Sequence, residues 1–226
     1  MQRQRFGREG AEFGRGLGFF DAIHGFAITL LITNIDLPQA PAWSSLSTLL
    51  SGGLGAQLLG FLISFVVIAA FWRRSTELLS RFSAIDSSVI TTNLVAAGLV
   101  VLLPFTTQGI SDPLLAEYAL PVALYAANVA LVIIAHAAIF EAGRSRGLLR
   151  MPVSEREMRA ERADALAKVV VFGASIPVAY LCGPGWGMLT WLLLLVVGPV
   201  FGRRVAKAAA ESFETPESLV DPGLTR

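Results

Sequence analysis

Charge is what this chain has least of. Asp, Glu, Lys and Arg make up only 15% of its 226 residues, against 54% apolar, whereas a soluble domain carries nearer a quarter charged. A single cysteine, Cys182, excludes an internal disulfide and reads as a small apolar filler. The two histidines, His24 and His136, stand in no cluster with metal-ligand spacing, so neither a metal nor another cofactor is expected. A net charge of +1 offers nothing to nucleic acid. Also missing are a P-loop, a Gly-x-Ser-x-Gly elbow, a His-Glu-x-x-His pair, a Thr-Val-Gly-Tyr-Gly filter and an arginine-rich voltage-sensing span. An enzyme reading would have to rest on isolated His and Asp residues, so no enzyme is expected. Lysine is scarcer than arginine, 2 against 16, a usage that suggests a GC-rich, bacterial genome.

What is present is long apolar tracts, and a mean hydropathy of +0.62. A helix needs about 20 apolar residues to cross a hydrocarbon core about 30 Å thick. Tracts of that kind lie at 19–37, 54–72, 89–107 and 118–140, and an uncharged run at 169–202 is too long for one crossing. Cys182-Gly183-Pro184-Gly185 breaks that run with turn chemistry, giving two shorter spans at 166–181 and 186–201. The expected fold is therefore an all-α bundle of six transmembrane helices with the lipid bilayer as its solvent. Its parts are an N-terminal segment 1–18, a six-span domain 19–203 and a disordered tail 204–226.

All 18 basic residues fall on one side: before span one, between spans two and three, between four and five (with Lys168 in the first turn of span five), and after span six. The other connections hold none. Positive charge stays in the cytoplasm, so both termini are expected there, in a plasma membrane. The first apolar run contains Asp21 and lacks a small-residue cleavage site, which favours a retained helix over a signal peptide. Residues 154–168 alternate in charge at helical spacing, as a surface helix or a solvated linker would.

Ionisable and polar groups inside spans are costly and mark functional or packing sites. Span one is richest, with Asp21, His24, Thr29, Thr33, Asn34 and Asp36. On a helical wheel Phe26, Leu30 and Thr33 form one stripe flanked by Thr29, with Asp21 and His24 opposite. Packing or lipid contact is the ordinary account of such a stripe. Apolar rings with interspersed hydroxyls could also line a narrow pore. Asp21 and Arg15 cannot face each other along one helix, so each is expected to pair with another element, such as Arg73 or Asp86. His24 and His136 read more readily as packing residues than as proton relays, and Asn93 as a cross-helix hydrogen-bonding group.

Arg15-x-x-x-Phe19-Phe20-Asp21 followed by Ala27-Ile28-Thr29-Leu30-Leu31 resembles the first helix of the transmembrane protein 175 family, potassium-permeable channels of endosomes and lysosomes with bacterial relatives. Phe71-Trp72, Asp86, Asn93-Leu94, Leu103-Pro104-Phe105 and Leu124-Tyr125-Ala126 follow in order, while spans five and six agree only in hydropathy. The resemblance implies a homotetramer with four first helices around one pore. Phe26 would form the constriction, with Thr29, Leu30 and Thr33 lining the pore beyond it. Arg15, Phe19 and Asp21 would lock the helix to its neighbours, together with the signature positions Trp72, Asp86 and Asn93. Potassium would be the permeant ion, or protons, since the family includes proton-permeable members. Three departures stand out: Phe20 for the motif serine, Ser75 for a histidine, and Phe26 for a branched aliphatic residue. A ring of four phenylalanines would make a tighter, more easily dewetted gate. Loss of the pore would leave a non-conducting scaffold or regulatory subunit.

Overall fold

The structure, a computed structural model, describes residues 5–214. Six helical spans are long and apolar enough to cross a membrane: Ala11–Asn34, Gly55–Ser80, Ser87–Ser111, Ala119–Ser145, Glu155–Cys182 and Pro184–Ala210. Strand β1 (Arg5–Gly7) precedes helix α1 (Ala11–Leu30), which tightens into a 3₁₀ turn at Leu31–Asn34. A connection carrying the short α2 (Leu46–Leu49) leads to α3 (Gly55–Ser80), then β2 (Ala84–Asp86). Span three is α4 (Ser87–Val101) and α5 (Leu103–Ser111), divided at Pro104, whose ring has no N–H to continue the ladder. Helix α6 (Ala119–Ser145) is span four and α7 (Glu155–Cys182) span five; α8 (Pro184–Leu189), a 3₁₀ turn and α9 (Leu194–Glu214) make span six.

Every span is found where apolar length placed it, but the ends differ. The fifth and sixth are not short. Helix α7 begins at Glu155 and α9 runs to Glu214, so residues 155–168 are helix rather than linker, and the tail expected from 204 is helical as far as the structure describes it. Charged side chains do not end a helix; they only end its apolar part. At 1.5 Å per residue the 28 residues of α7 reach about 42 Å, well past the hydrocarbon. Its start is set by Ser154, whose Oγ accepts from the Glu157 amide at 3.2 Å. Residues 215–226 lie outside the described part.

Helix α6 is the centre of the bundle and the reason its sequence is apolar all round. Tyr125, Ala126, Val129 and Val132 are buried against Ile68 and Phe71 of α3, Val100 and Leu103 of span three, Ala27 and Leu31 of span one, and Phe172 of α7. Three hydroxyls bond one another within this core: Thr107 Oγ1 donates to Ser64 Oγ at 2.7 Å, and Ser64 Oγ meets Tyr125 Oη at 3.1 Å. The outward faces are left apolar, with Leu192, Leu195 and Val196 of span six exposed, as a chain solvated by lipid requires.

At one end the connections interlock. Strand β1 pairs antiparallel with β2, Phe6 opposite Ile85. The Ser83 amide donates to the Leu148 carbonyl and the Arg150 amide to the Arg81 carbonyl, each at 2.8 Å. The N-terminal segment, the two–three connection and the four–five connection thus share one face, where their arginines gather.

Candidate functional site: the outward face of helix one

Two faces of α1 have opposite fates. Phe20, His24, Ala27 and Leu31, spaced by four, three and four residues, are buried against spans two and three. The opposite stripe points away from the chain: Phe26 is 70% exposed and Leu30 45%, with Thr29 and Thr33 exposed beside them. The 3₁₀ turn adds order to this stripe, because side chains three apart eclipse in that geometry and Leu30 stands over Thr33. The two hydroxyls are already committed as donors. Thr29 Oγ1 donates to the Phe26 carbonyl at 2.8 Å and Thr33 Oγ1 to the Leu30 carbonyl at 2.7 Å. Their remaining lone pairs are acceptors only, and they face outward.

Three braces hold the helix in this rotation. Near its charged end, Trp72 Nε1 donates to Asp21 Oδ1 at 3.0 Å. Near the other end, Asn34 Nδ2 donates to the Pro104 carbonyl at 2.6 Å. Just past it, the Asp36 amide donates to Gln57 Oε1 (3.1 Å) while Gln57 Nε2 donates to Asp36 Oδ2 (2.8 Å). The expected pairing of Asp21 with an arginine is replaced by an indole N–H, which supplies direction without a second charge to desolvate. Asp86 is likewise not available to Arg15. It caps α4 through the Ser88 and Val89 amides, both at 3.0 Å, and pairs with Arg146 at 2.9 Å.

Burial of Asp86 disfavours its charge, but the Val89 amide, Arg146 and the Ser88 amide together outweigh that and hold the carboxyl below its ordinary range. Of the other signature residues, Asn93 is buried in α4, whereas Arg15 and Phe19 are exposed. Phe20 takes the buried place beside Phe19, the rings edge to face at 5.6 Å. Ser75 is buried as well. Both histidines are packed: His24 Nδ1–H donates to the Phe20 carbonyl, and His136 Nδ1–H to that of Val132, with the His136 ring stacked on Phe71. His24 sits on the face of α1 turned away from the stripe. Gln57 and the Pro104 carbonyl were not singled out by sequence, since a long-range brace leaves no local pattern.

The same architecture is found in known channels. The family described as endosomal/lysosomal potassium channel TMEM175 matches residues 15–104, from the start of the signature to the proline of span three. A potassium channel of Streptomyces collinus is 32% identical over 134 residues, 58% of this chain and 62% of that protein, so the chain spans about three fifths of that relative. A potassium channel of Chamaesiphon minutus is 32% identical over 178 residues, 74% of this chain and 82% of the relative. The chain belongs to the TMEM175 family. The crystal structure of a lysosomal potassium-selective channel TMEM175 homolog from Chamaesiphon minutus shares its fold, with a TM-score of 0.55 at 21% identity, over 89% of this chain and 98% of that one. The TMEM175 match ends at span three, so the helix bearing the exposed stripe lies within the segment that carries the family's signature.

Proposed function

We propose that this chain is a potassium-permeable channel of the bacterial plasma membrane. In this reading it is a homotetramer with both termini cytoplasmic, and four copies of α1 surround one pore. The observation that carries this reading is the apolar-and-hydroxyl stripe on α1, exposed at membrane depth and held there by braces on its other side. A pore within one copy is disfavoured, because among the described residues the bundle interior is filled by Tyr125, Ile68, Leu103 and Val129. A path between copies is the remaining option, and family membership points the same way.

The chemistry follows from the stripe. Phe26 of four copies forms an apolar ring that empties of water when narrow, which blocks ions without any charged gate. Thr29 and Thr33 present oxygen lone pairs that replace part of a cation's hydration shell and offer nothing to an anion. Flux is passive and needs no cofactor. The arginine-bearing face sits on the cytoplasmic side by the retention of positive charge. Proton conduction would call on His24, and its place on the packed face argues for potassium instead.

Reconstitution in liposomes with a potassium gradient tests the reading. Flux is expected, and Phe26→Ala is expected to raise it by opening the ring. Absence of flux in both proteins overturns the channel and favours a scaffold.

A further inference from the structure

Away from α1, a cavity of about 540 Å³ opens between α3, α6, α7 and α9, a size ordinary for an organic ligand. Toward mid-span its lining is apolar, with Val129, Ile133, Phe172 and Leu194, and toward the arginine-bearing end it carries six charged side chains. Three are cations (Arg74, Arg162, Lys168) and three are acids (Glu141, Glu161, Asp164). Ile134 and Ala138 of α6 line the cavity and are exposed, so its mouth lies on the lipid-facing side of the chain. An apolar pocket continuous with the hydrocarbon and topped by charge at the arginine-bearing end has the polarity profile of a phospholipid.

This charged set discriminates among phospholipids. Its charges sum to zero, which favours a zwitterionic headgroup over an anionic one. The acids are unequally occupied. Glu161 is held by Arg74 and Arg81, and Glu141 by Arg144 and Arg162. Asp164 has Lys168 alone, at 2.6 Å through Oδ2, and its Oδ1 is buried with no hydrogen-bond partner. An unsatisfied buried carboxylate oxygen calls for a donor. We propose that this cavity binds a phospholipid whose headgroup carries a primary ammonium. The ammonium N–H is received by Asp164 after a turn of its carboxylate, the phosphate lies among Lys168 and Arg162, and one acyl chain runs toward Phe172. A quaternary ammonium has the same charge but no N–H to give, and would leave Asp164 as it is.

The test is native mass spectrometry of the purified full chain, equilibrated in detergent with equal amounts of phosphatidylethanolamine, phosphatidylcholine and phosphatidylglycerol of identical acyl chains. Retention of phosphatidylethanolamine over phosphatidylcholine by about tenfold is expected, the worth of one charge-assisted hydrogen bond. Ala138→Trp, which fills the mouth, is expected to abolish that retention, and Asp164→Asn to bring the two zwitterionic lipids toward parity. Equal retention of both lipids in the unaltered chain overturns the proposal. So does a preference for phosphatidylglycerol, or a phosphatidylethanolamine preference that survives Asp164→Asn. Should Ala138→Trp fail to fold, Asp164→Asn alone decides. The proposal rests on the membrane-spanning fold and not on conduction, so flux can be absent with the lipid bound, or present without it.

Discussion

An aspartate inside a span is expensive, and Asp21 shows how this chain limits the cost. It lies near the charged end of α1, half in reach of water, and receives the indole N–H of Trp72. Trp72→Phe keeps the ring and removes the donor. A hydrogen bond to a charged acceptor at a partly exposed site is worth about 1 kcal/mol, so the variant is expected to unfold a few degrees lower in detergent. An unchanged midpoint would mean that water satisfies Asp21 equally well. Asp86 sets a clearer pH dependence. Its carboxyl is held below the ordinary range by the α4 amides and Arg146, so its stabilisation is complete above the unfolded pKa and is lost as pH falls through the lowered folded one. The melting temperature of the unaltered chain should therefore drop on acidification through and below the usual carboxylate range. Asp86→Asn should start lower and follow a flatter profile. Parallel profiles would remove Asp86 from the account.

At the scale of elements, what the sequence made legible was apolar length, and what it hid was everything that depends on distant partners. Six spans follow from the tracts alone, since nothing but a helix satisfies its own backbone in lipid. The turn at Gly183 was equally plain. It adopts φ +108° and ψ 156°, a region essentially restricted to glycine, and Pro184 then starts α8 where its missing N–H costs nothing. Gly183→Ala is expected to cost about 1–3 kcal/mol, seen as a lower midpoint or poor yield, with an unaltered midpoint as the contrary result. The start of α7 could have been read too, because Ser154-x-x-Glu157 is a capping box signature. Charge alternation alone leaves a surface helix and a solvated linker both open over that stretch. The braces of α1 could not. Asn34 and Gln57 look like any polar residues until the fold brings Pro104 and Asp36 beside them. The stripe of Phe26, Thr29, Leu30 and Thr33 was visible as a pattern, yet only the buried opposite face of α1 fixes which way it points.

At the scale of the whole molecule, one copy leaves a surface on α1 that the proposed tetramer would account for. Its lipid-facing helices expose Leu and Val, as they should, but α1 exposes two threonines and a small-residue surface at Ala22 and Gly25 on that same outside. Hydroxyls gain little from hydrocarbon, and small residues let helices approach closely. Four copies with α1 inward would place both features where they are useful. The prediction is geometric. In a Cys182→Ser background, Thr29→Cys should form an intersubunit disulfide under mild oxidation, because facing α1 helices bring equivalent positions together around the axis. Leu195→Cys, on the exposed face of span six, should stay monomeric under the same oxidation. One cysteine per copy can join copies only in pairs, so a denaturing gel would show dimers even from a tetramer, and light scattering of the intact particle must supply the number four. Monomers from Thr29→Cys, or dimers from both positions alike, would place some other helix at the axis and leave the stripe to lipid.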